Sequence, residues 1–172
     1  WSGPYGILSI SFALDSNNQG HIVFAVDRDG NTDDTRTDRE LYGISTSNGD
    51  WRSAVRLTTN DVEDSCPVIV NPNGTVIVVW NSNDTLLYTP LGDDWSPKQV
   101  YSQYTLNNQA ATLAGVTMAD GAAIAYTVQN LPGVDIMASF YDAVLDRWSL
   151  PRRLTFDEDV ESAISVGFDG DR

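Results

Sequence analysis

The stretch CPVIVNPNGTVIVVWNSNDTLLYTPLGDDWSPKQVY, residues 66–101, determines how the fold is interpreted. Its apolar runs are four to six residues long and end at clusters of Asn, Asp, Pro and Gly, as short β-strands do. Asn73-Gly74 between two such runs is the strongest short-range signal for a β-hairpin. The run Thr75–Trp80 is almost wholly apolar and rich in β-branched residues, which predicts a strand buried on both faces. We therefore expect four antiparallel strands, the last beginning at Trp95.

Two features of this unit recur along the chain. A glycine opens the second strand of each unit, and these glycines follow one another at intervals of 47 to 54 residues: Gly20, Gly74, Gly121 and Gly170. A tryptophan opens the fourth strand, at Trp51, Trp95 and Trp148. The period is close to the ~40–50 residues of one four-stranded propeller blade. Because the tryptophans recur at one position, we interpret them as packing residues between blades.

The sequence therefore predicts an all-β protein, a β-propeller of four-stranded antiparallel blades. We expect one partial propeller over residues 1–172, with blades at about 6–57, 66–101 and 110–154 and an extra first strand at about 162–168. Both ends fall inside a repeat, so we expect a piece of a longer repeat array. An open array exposes apolar faces and strand edges. This predicts self-association into a closed ring, or association with the remainder of a parent propeller.

Composition excludes several classes of partner. The formal net charge is −14, from 24 acidic and 10 basic residues. Nucleic acids require a basic surface, so we expect no nucleic-acid binding. No apolar run approaches the ~20 residues of a membrane-spanning helix, so we expect no membrane insertion. The single cysteine, Cys66, cannot form an internal disulfide.

The motif order resembles the sialidase-like propellers with BNR, or Asp-box, repeats. In that family a turn of the form Ser-x-Asp-x-Gly-x-x-Trp joins the third and fourth strands. The corresponding stretches here are Ser45–Trp51, Thr89–Trp95 and Tyr141–Trp148, and the Gly and Trp match in two of the three, with a spacing one residue shorter. The resemblance implies a propeller fold. It would also imply a sialidase site with three arginines, but the predicted first strands contain none.

A long acidic segment follows the second predicted strand, with the sequence Asp27-Arg28-Asp29-Gly30-Asn31-Thr32-Asp33-Asp34. Oxygen-bearing side chains fall at alternate positions, as in loops that wrap one calcium ion with 6–8 oxygens. We expect a structural Ca²⁺ held by Asp27, Asp29, Asn31 and Asp33. The alternative is a solvated loop rich in turn-forming residues.

Trp80 is the tryptophan that does not recur at the blade position. It ends the second strand of its unit beside Asn81, close to the predicted long loops. Long loops on a rigid scaffold commonly carry binding sites. We therefore predict that Trp80 and Asn81 bind ligand, with the indole stacking on a sugar ring.

Together these observations favour a secreted or cell-surface module that binds carbohydrate or protein and is not catalytic by itself. Two alternatives stay open. The chain could be a fragment of a glycoside hydrolase or lyase propeller, or a lectin-like sub-propeller that closes by oligomerisation.

Overall fold

A computed structural model describes residues 6–31, 36–92, 97–100, 112–130, 133–156, 159, 161 and 163–170. Within these ranges the regular structure is strand, apart from two short 3-10 turns, and the strands form three antiparallel sheets in chain order. The prediction of an all-β partial propeller with four-stranded blades is confirmed. Among the described residues no helix is long and apolar enough to cross a membrane.

Blade 1 contains β1 (Gly6–Leu14), β2 (Gly20–Asp27) and β3 (Arg39–Ser47), paired in that order. Its fourth strand is split, because β4 (Asp50–Trp51) and β5 (Val55–Arg56) both pair with the outer edge of β3.

Blade 2 contains β6 (Asp64–Val70), β7 (Ile77–Ser82), β8 (Thr85–Pro90) and β9 (Lys98–Gln99). The predicted hairpin at Asn73-Gly74 is built from a 3-10 turn over Pro72–Gly74. Asn73 and Gly74 both have positive φ, 51° and 80°, a conformation that asparagine and glycine tolerate better than other residues.

Blade 3 contains β10 (Leu113–Met118), β11 (Gly121–Asn130) and β12 (Gly133–Asp142), with β13 (Arg147–Trp148) and β14 (Arg152–Arg153) on the edge of β12. Its first strand packs closely on β6. A Cβ atom on Gly115 would lie 2.4 Å from Val68 Cγ1, so only glycine fits at this position.

Two hydrophobic cores fill the spaces between neighbouring blades, and β7 contributes to both. Val78 and Trp80 pack with Val23, Ala25 and Leu41 of blade 1. The alternate residues of β7, Ile77 and Val79, pack with blade 3 in a core whose other members include Ile124, Tyr126 and Trp148. Every residue of β7 is buried, which confirms the prediction of a strand covered on both faces.

The outer face of blade 1 is apolar and open. Alternate residues of β1 point to this face and are 38% to 62% exposed: Leu8, Ile10, Phe12 and Leu14. Residues 163–168, predicted as a further first strand, have no strand assignment in the described part of the chain. They nevertheless cross the outer face of blade 3, where Val166 and Phe168 border a groove with Val116 and Met118. This is the position that the first strand of a next blade would take.

A buried acid–arginine–threonine clamp fastens the end of the split fourth strand in blade 1. Arg56 Nη2 donates to Glu40 Oε1, and Thr58 Oγ1 donates to Glu40 Oε2. The same hydroxyl accepts the backbone N–H of Leu41. Glu40 is fully buried, and these bonds satisfy its carboxylate.

Blade 3 has the same clamp at the same place. Arg153 Nη2 lies 2.7 Å from Asp135 Oδ2, and the Thr155 hydroxyl accepts the Ile136 N–H at 2.9 Å. The repeated sequence Arg-Leu-Thr at 56–58 and 153–155 thus marks one physical device in two blades.

Candidate functional site

Trp80 and Asn81, the predicted ligand-binding pair, lie in the protein core. Trp80 is 1% exposed, and its Nε1 donates to Asp64 Oδ1 at 2.9 Å. Asn81 is 2% exposed and donates from Nδ2 to Ser65 Oγ at 3.4 Å. Trp80 belongs to the core shared with Val23, Ala25 and Leu41 of blade 1, so protein covers its indole. The stacking predicted for Trp80 therefore lacks an open ring face.

The predicted calcium loop is described at Asp27, Asp29 and Asn31, whereas Asp33 lies outside the described residues. Asp27 Oδ1 accepts the Gly30 N–H at 3.0 Å, and Asp29 Oδ1 accepts the Asn31 N–H at 2.7 Å. These bonds close the turn. Arg39 Nε lies 3.5 Å from Asp27 Oδ2 and places a positive charge beside that carboxylate.

Asp38 joins this group, and the sequence pattern did not include it. One carboxylate oxygen from each of Asp27, Asp29 and Asp38 lies within 4.8 Å of the others. Asp38 ends a 3-10 turn over Arg36–Asp38, directly before β3. Since Arg39 is opposite Asp27 in the sheet, this register carries Asp38 back to the start of the loop. A sequence pattern restricted to consecutive alternate residues could not find it.

His21, to which the sequence assigns no chemistry, lies between two polar side chains. Its Nδ1 is 2.8 Å from Ser45 Oγ, and its Nε2 is 3.4 Å from Asp15 Oδ2. Ser45 is the direct cross-strand partner of His21, so the sheet register accounts for their contact. Neither of the two pockets described below contains any of the three residues.

A charged and aromatic cluster joins blades 2 and 3. Lys98 Nζ lies 3.1 Å from Asp146 Oδ2, and the Tyr141 hydroxyl donates to Asp146 Oδ1 at 2.6 Å. The hydrogen bond from Tyr141, and to a smaller extent the one from Lys98, holds the pKa of Asp146 below its usual value. The bond to Asp146 raises the pKa of Lys98. Burial, and then the bond to Asp146, raise the pKa of Tyr141.

An open pocket of about 540 Å³ lies at the edge of blade 3, between the end of β12 and the start of the β13–β14 connection. We call it the edge pocket. Its lining residues are Phe140, Tyr141, Asp142, Arg147, Trp148, Ser149 and Leu150. Phe140 is 46% exposed and presents an apolar surface at the pocket.

Two side-chain oxygens of the edge pocket are held in place by hydrogen bonds from backbone N–H groups. Asp142 Oδ1 accepts the N–H groups of Val144 and Leu145, at 2.9 and 3.0 Å. Ser149 Oγ accepts the Phe140 N–H at 3.0 Å. The pocket therefore combines an exposed aromatic residue with fixed acceptors.

The sequence carried one signal for this pocket. Phe140 and Tyr141 are adjacent in a strand, and adjacent residues point to opposite faces of a sheet. One ring had to face away from blade 2. The Asp-box pattern over Tyr141–Trp148 indicates the fold but begins one residue after Phe140, so it does not include this ring.

A second open groove, of about 600 Å³, separates the outer face of blade 3 from residues 166–169. Its walls are mainly apolar and include the small residues Ala123, Ala125 and Ala138. Asp169 is the acidic residue in its lining. Apolar walls of this kind suit packing of a further blade better than recognition of a polar ligand.

No protein-family model and no curated protein matches the chain. Two solved structures are similar in fold. One is a fucose lectin from Kordia zhangzhouensis in complex with methyl-fucoside, at 11% identity and a TM-score of 0.48, with 86% of this chain and 99% of that chain covered. The other is a glycosyl hydrolase from Bacteroides ovatus, at 12% identity and a TM-score of 0.48. The matched region covers 86% of this chain and 52% of the hydrolase chain, so this chain spans about half the length of that protein. Similarity at this level does not identify a ligand.

Proposed function

We propose that this chain is a non-catalytic part of a β-propeller that binds carbohydrate at the edge pocket. The observation that carries the proposal is the half-exposed Phe140 beside the fixed polar groups of Asp142 and Ser149 and the exposed Arg147. A sugar ring has an apolar C–H face and a polar rim of hydroxyl groups. It needs a flat apolar surface for the first and hydrogen-bonding groups for the second.

The size of the pocket supports a ligand of one or two sugar units. Its volume of about 540 Å³ lies within the ~300–1,000 Å³ range of small-molecule sites. The Phe140 ring would pack against the sugar face. Asp142 would accept hydroxyl protons through oxygen capacity that the turn leaves open, while Arg147 would donate to ring or hydroxyl oxygens.

The carboxylates at and near the edge pocket fit ligand binding better than glycoside hydrolysis. Hydrolysis generally requires two carboxyl groups about 5–10 Å apart on either side of the scissile bond. Asp142 is the acidic residue in the lining of the edge pocket. The nearby Asp146 is committed to Lys98 and Tyr141. A hydrolase or lyase role for a larger propeller stays the alternative, with its second carboxylate supplied from elsewhere.

We further propose that blade 1 is covered by another blade in the functional assembly. Trp148 packs on Tyr88 of the preceding blade, with ring centroids 6.0 Å apart, whereas the equivalent Trp51 is 51% exposed. The exposed alternate residues of β1 extend this apolar surface. A second copy, or the remainder of a parent propeller, would supply the missing blade. Secretion or display at the cell surface fits a carbohydrate-binding role.

A structural calcium ion remains part of the proposal. The oxygens of Asp27, Asp29 and Asp38 are close enough to share one ion, and oxygen ligands are those that Ca²⁺ prefers. Because Asp38 lies directly before β3 and the other two ligands lie at the end of β2 and just after it, the ion would tie the β2–β3 connection to the start of β3.

The proposed function is tested by screening the purified chain on a glycan array and measuring the affinity of each hit. Phe140→Ala should weaken binding about 10-fold or more, because the apolar platform is lost. Phe156→Ala is the matched control, since Phe156 is 72% exposed on the same blade and does not line the pocket. Absence of any glycan ligand, or equal effects of the two variants, would overturn the proposal.

A further inference from the structure

Arg147 is the basic residue in the lining of the edge pocket. Five of the described basic side chains form ion pairs with carboxylates: Arg36, Arg39, Arg56, Lys98 and Arg153. Arg52 donates to the Ser47 hydroxyl. Arg147 is exposed and lines the edge pocket, and no carboxylate of the described residues lies within ion-pair distance of it.

The absence of a pair is informative because a carboxylate stands directly opposite. Arg147 and Asp142 are cross-strand partners in the β12–β13 ladder, where opposite charges commonly join. Asp142 instead turns Oδ1 towards the Val144 and Leu145 amides, which compensate its charge. The guanidinium is thereby left with its donors available at the rim of the pocket.

We propose that Arg147 makes the edge pocket selective for anionic saccharides, those that carry a carboxylate or a sulfate group. The proposal rests on the proposed function and names the ligand class of the same site. Arginine presents donors in a planar fork that matches the two oxygens of a carboxylate, and such charge-assisted pairs are about twice as strong as neutral ones. The Phe140 ring would hold the sugar face while Arg147 holds its acidic substituent.

The negative net charge of the chain does not prevent it from binding an anionic saccharide. A net charge of −14 repels an anion at long range, but exposed charges are largely screened beyond about 8 Å at 0.15 M salt. A ligand in the edge pocket is therefore affected mainly by the charges close to it. Asp142 is engaged by its turn, and Asp146 is paired with Lys98, so both nearby carboxylates are partly compensated. The uncompensated charge at the rim is that of Arg147.

The test is a calorimetric titration of the chain at 0.15 M salt with three disaccharides of one linkage. These are digalacturonate, digalactose and a sulfated digalactose. We expect the acidic ligands to bind about 10-fold or more tightly than digalactose. The two acidic arms separate carboxylate from sulfate as the preferred anion.

Two variants locate the effect. Arg147→Gln should remove the preference while leaving digalactose affinity nearly unchanged, and Arg147→Glu should reverse it. Arg28→Gln is the control, because Arg28 is exposed on blade 1 and makes the same change in net charge. Both positions are exposed, and unchanged melting curves will show that the variants fold.

The outcomes separate the two proposals. If none of the disaccharides binds and the glycan array is empty, the proposed function and this inference both fail. If digalactose binds as tightly as the acidic ligands, or if Arg147→Gln and Arg28→Gln behave alike, carbohydrate binding stands and the role of Arg147 is wrong.

Discussion

Trp148 and Trp51 open the fourth strands of different blades and have different surroundings. Trp148 is 8% exposed and contacts Tyr88 and Tyr141, whereas half of Trp51 is open to solvent. Trp148→Ala should lower the free energy of unfolding by about 3–5 kcal/mol, because a buried aromatic ring leaves a cavity. Trp51→Ala should cost less than about 1 kcal/mol in the isolated chain. Urea denaturation measures both, and a loss for Trp148→Ala as small as that expected for Trp51→Ala would show that Trp148 is not a packing residue. Trp95, the third member of the set, lies outside the described residues.

Asp146 should give the inter-blade cluster a pH dependence. Its pKa is lowered in the folded chain by Tyr141 and Lys98, so its contribution to stability is complete above the unfolded value of about 4. That contribution is lost as the pH falls through the folded pKa. Asp146→Asn should therefore destabilise the chain at pH 7, and the difference between variant and wild type should be smaller at pH 3. Both charged groups are largely exposed, so the effect should stay below about 1 kcal/mol. Denaturation curves at the two pH values, with Asp50→Asn as control, decide the matter.

At the scale of the strand, the acid–arginine–threonine clamp explains why two-residue strands persist at a blade edge. Arg153→Ala would remove the positive charge that pairs with the carboxylate of Asp135, which is 2% exposed. Breaking a buried pair typically costs about 3–5 kcal/mol. The neighbouring Arg152 is exposed and forms no described ion pair, so Arg152→Ala should change stability by less than about 0.5 kcal/mol. A similar stability for both variants in guanidinium denaturation would contradict the structural role of the clamp.

The β2–β3 connection should respond to calcium if the three acidic oxygens share an ion. Millimolar calcium should raise the melting temperature and a chelator should lower it, because the ion binds only the folded state. Asp38→Asn should abolish the response, and Asp50→Asn, an exposed acidic residue outside the cluster, should not. A melting temperature that neither calcium nor chelator changes would contradict the proposed calcium site.

The sequence predicted strands better than side-chain environments. The turn at Asn73-Gly74 and the complete burial of β7 followed from turn residues and an apolar, β-branched run. The prediction of a ligand-stacking role for Trp80 conflicts with the burial predicted for the same run, and its indole packs against a blade that is distant along the chain. Asp38 and Arg147 do not belong to a local sequence pattern, because the acidic group and the edge pocket are assembled across β-strand registers.

For the whole molecule, the open face of blade 1 predicts association. Sedimentation velocity on the chain should detect an oligomer, or a complex when the remainder of a parent propeller is added. Phe12→Asp places a charge in the middle of the exposed apolar row of β1 and should dissociate the assembly without unfolding the chain. Asn17→Asp, an exposed substitution in the following turn, is the control. A wild-type chain that sediments as a compact monomer and ignores other blades would refute this prediction.

The burial of β7 between two cores also sets an order of local opening. Each blade touches only its neighbours, so the molecule behaves as a short one-dimensional array in which the outer units fray first. Amide protons of Ile77–Ser82 can reach solvent only when both flanking contacts are lost. Their hydrogen exchange should therefore report global unfolding, while β1 and β14 exchange through smaller, independent openings.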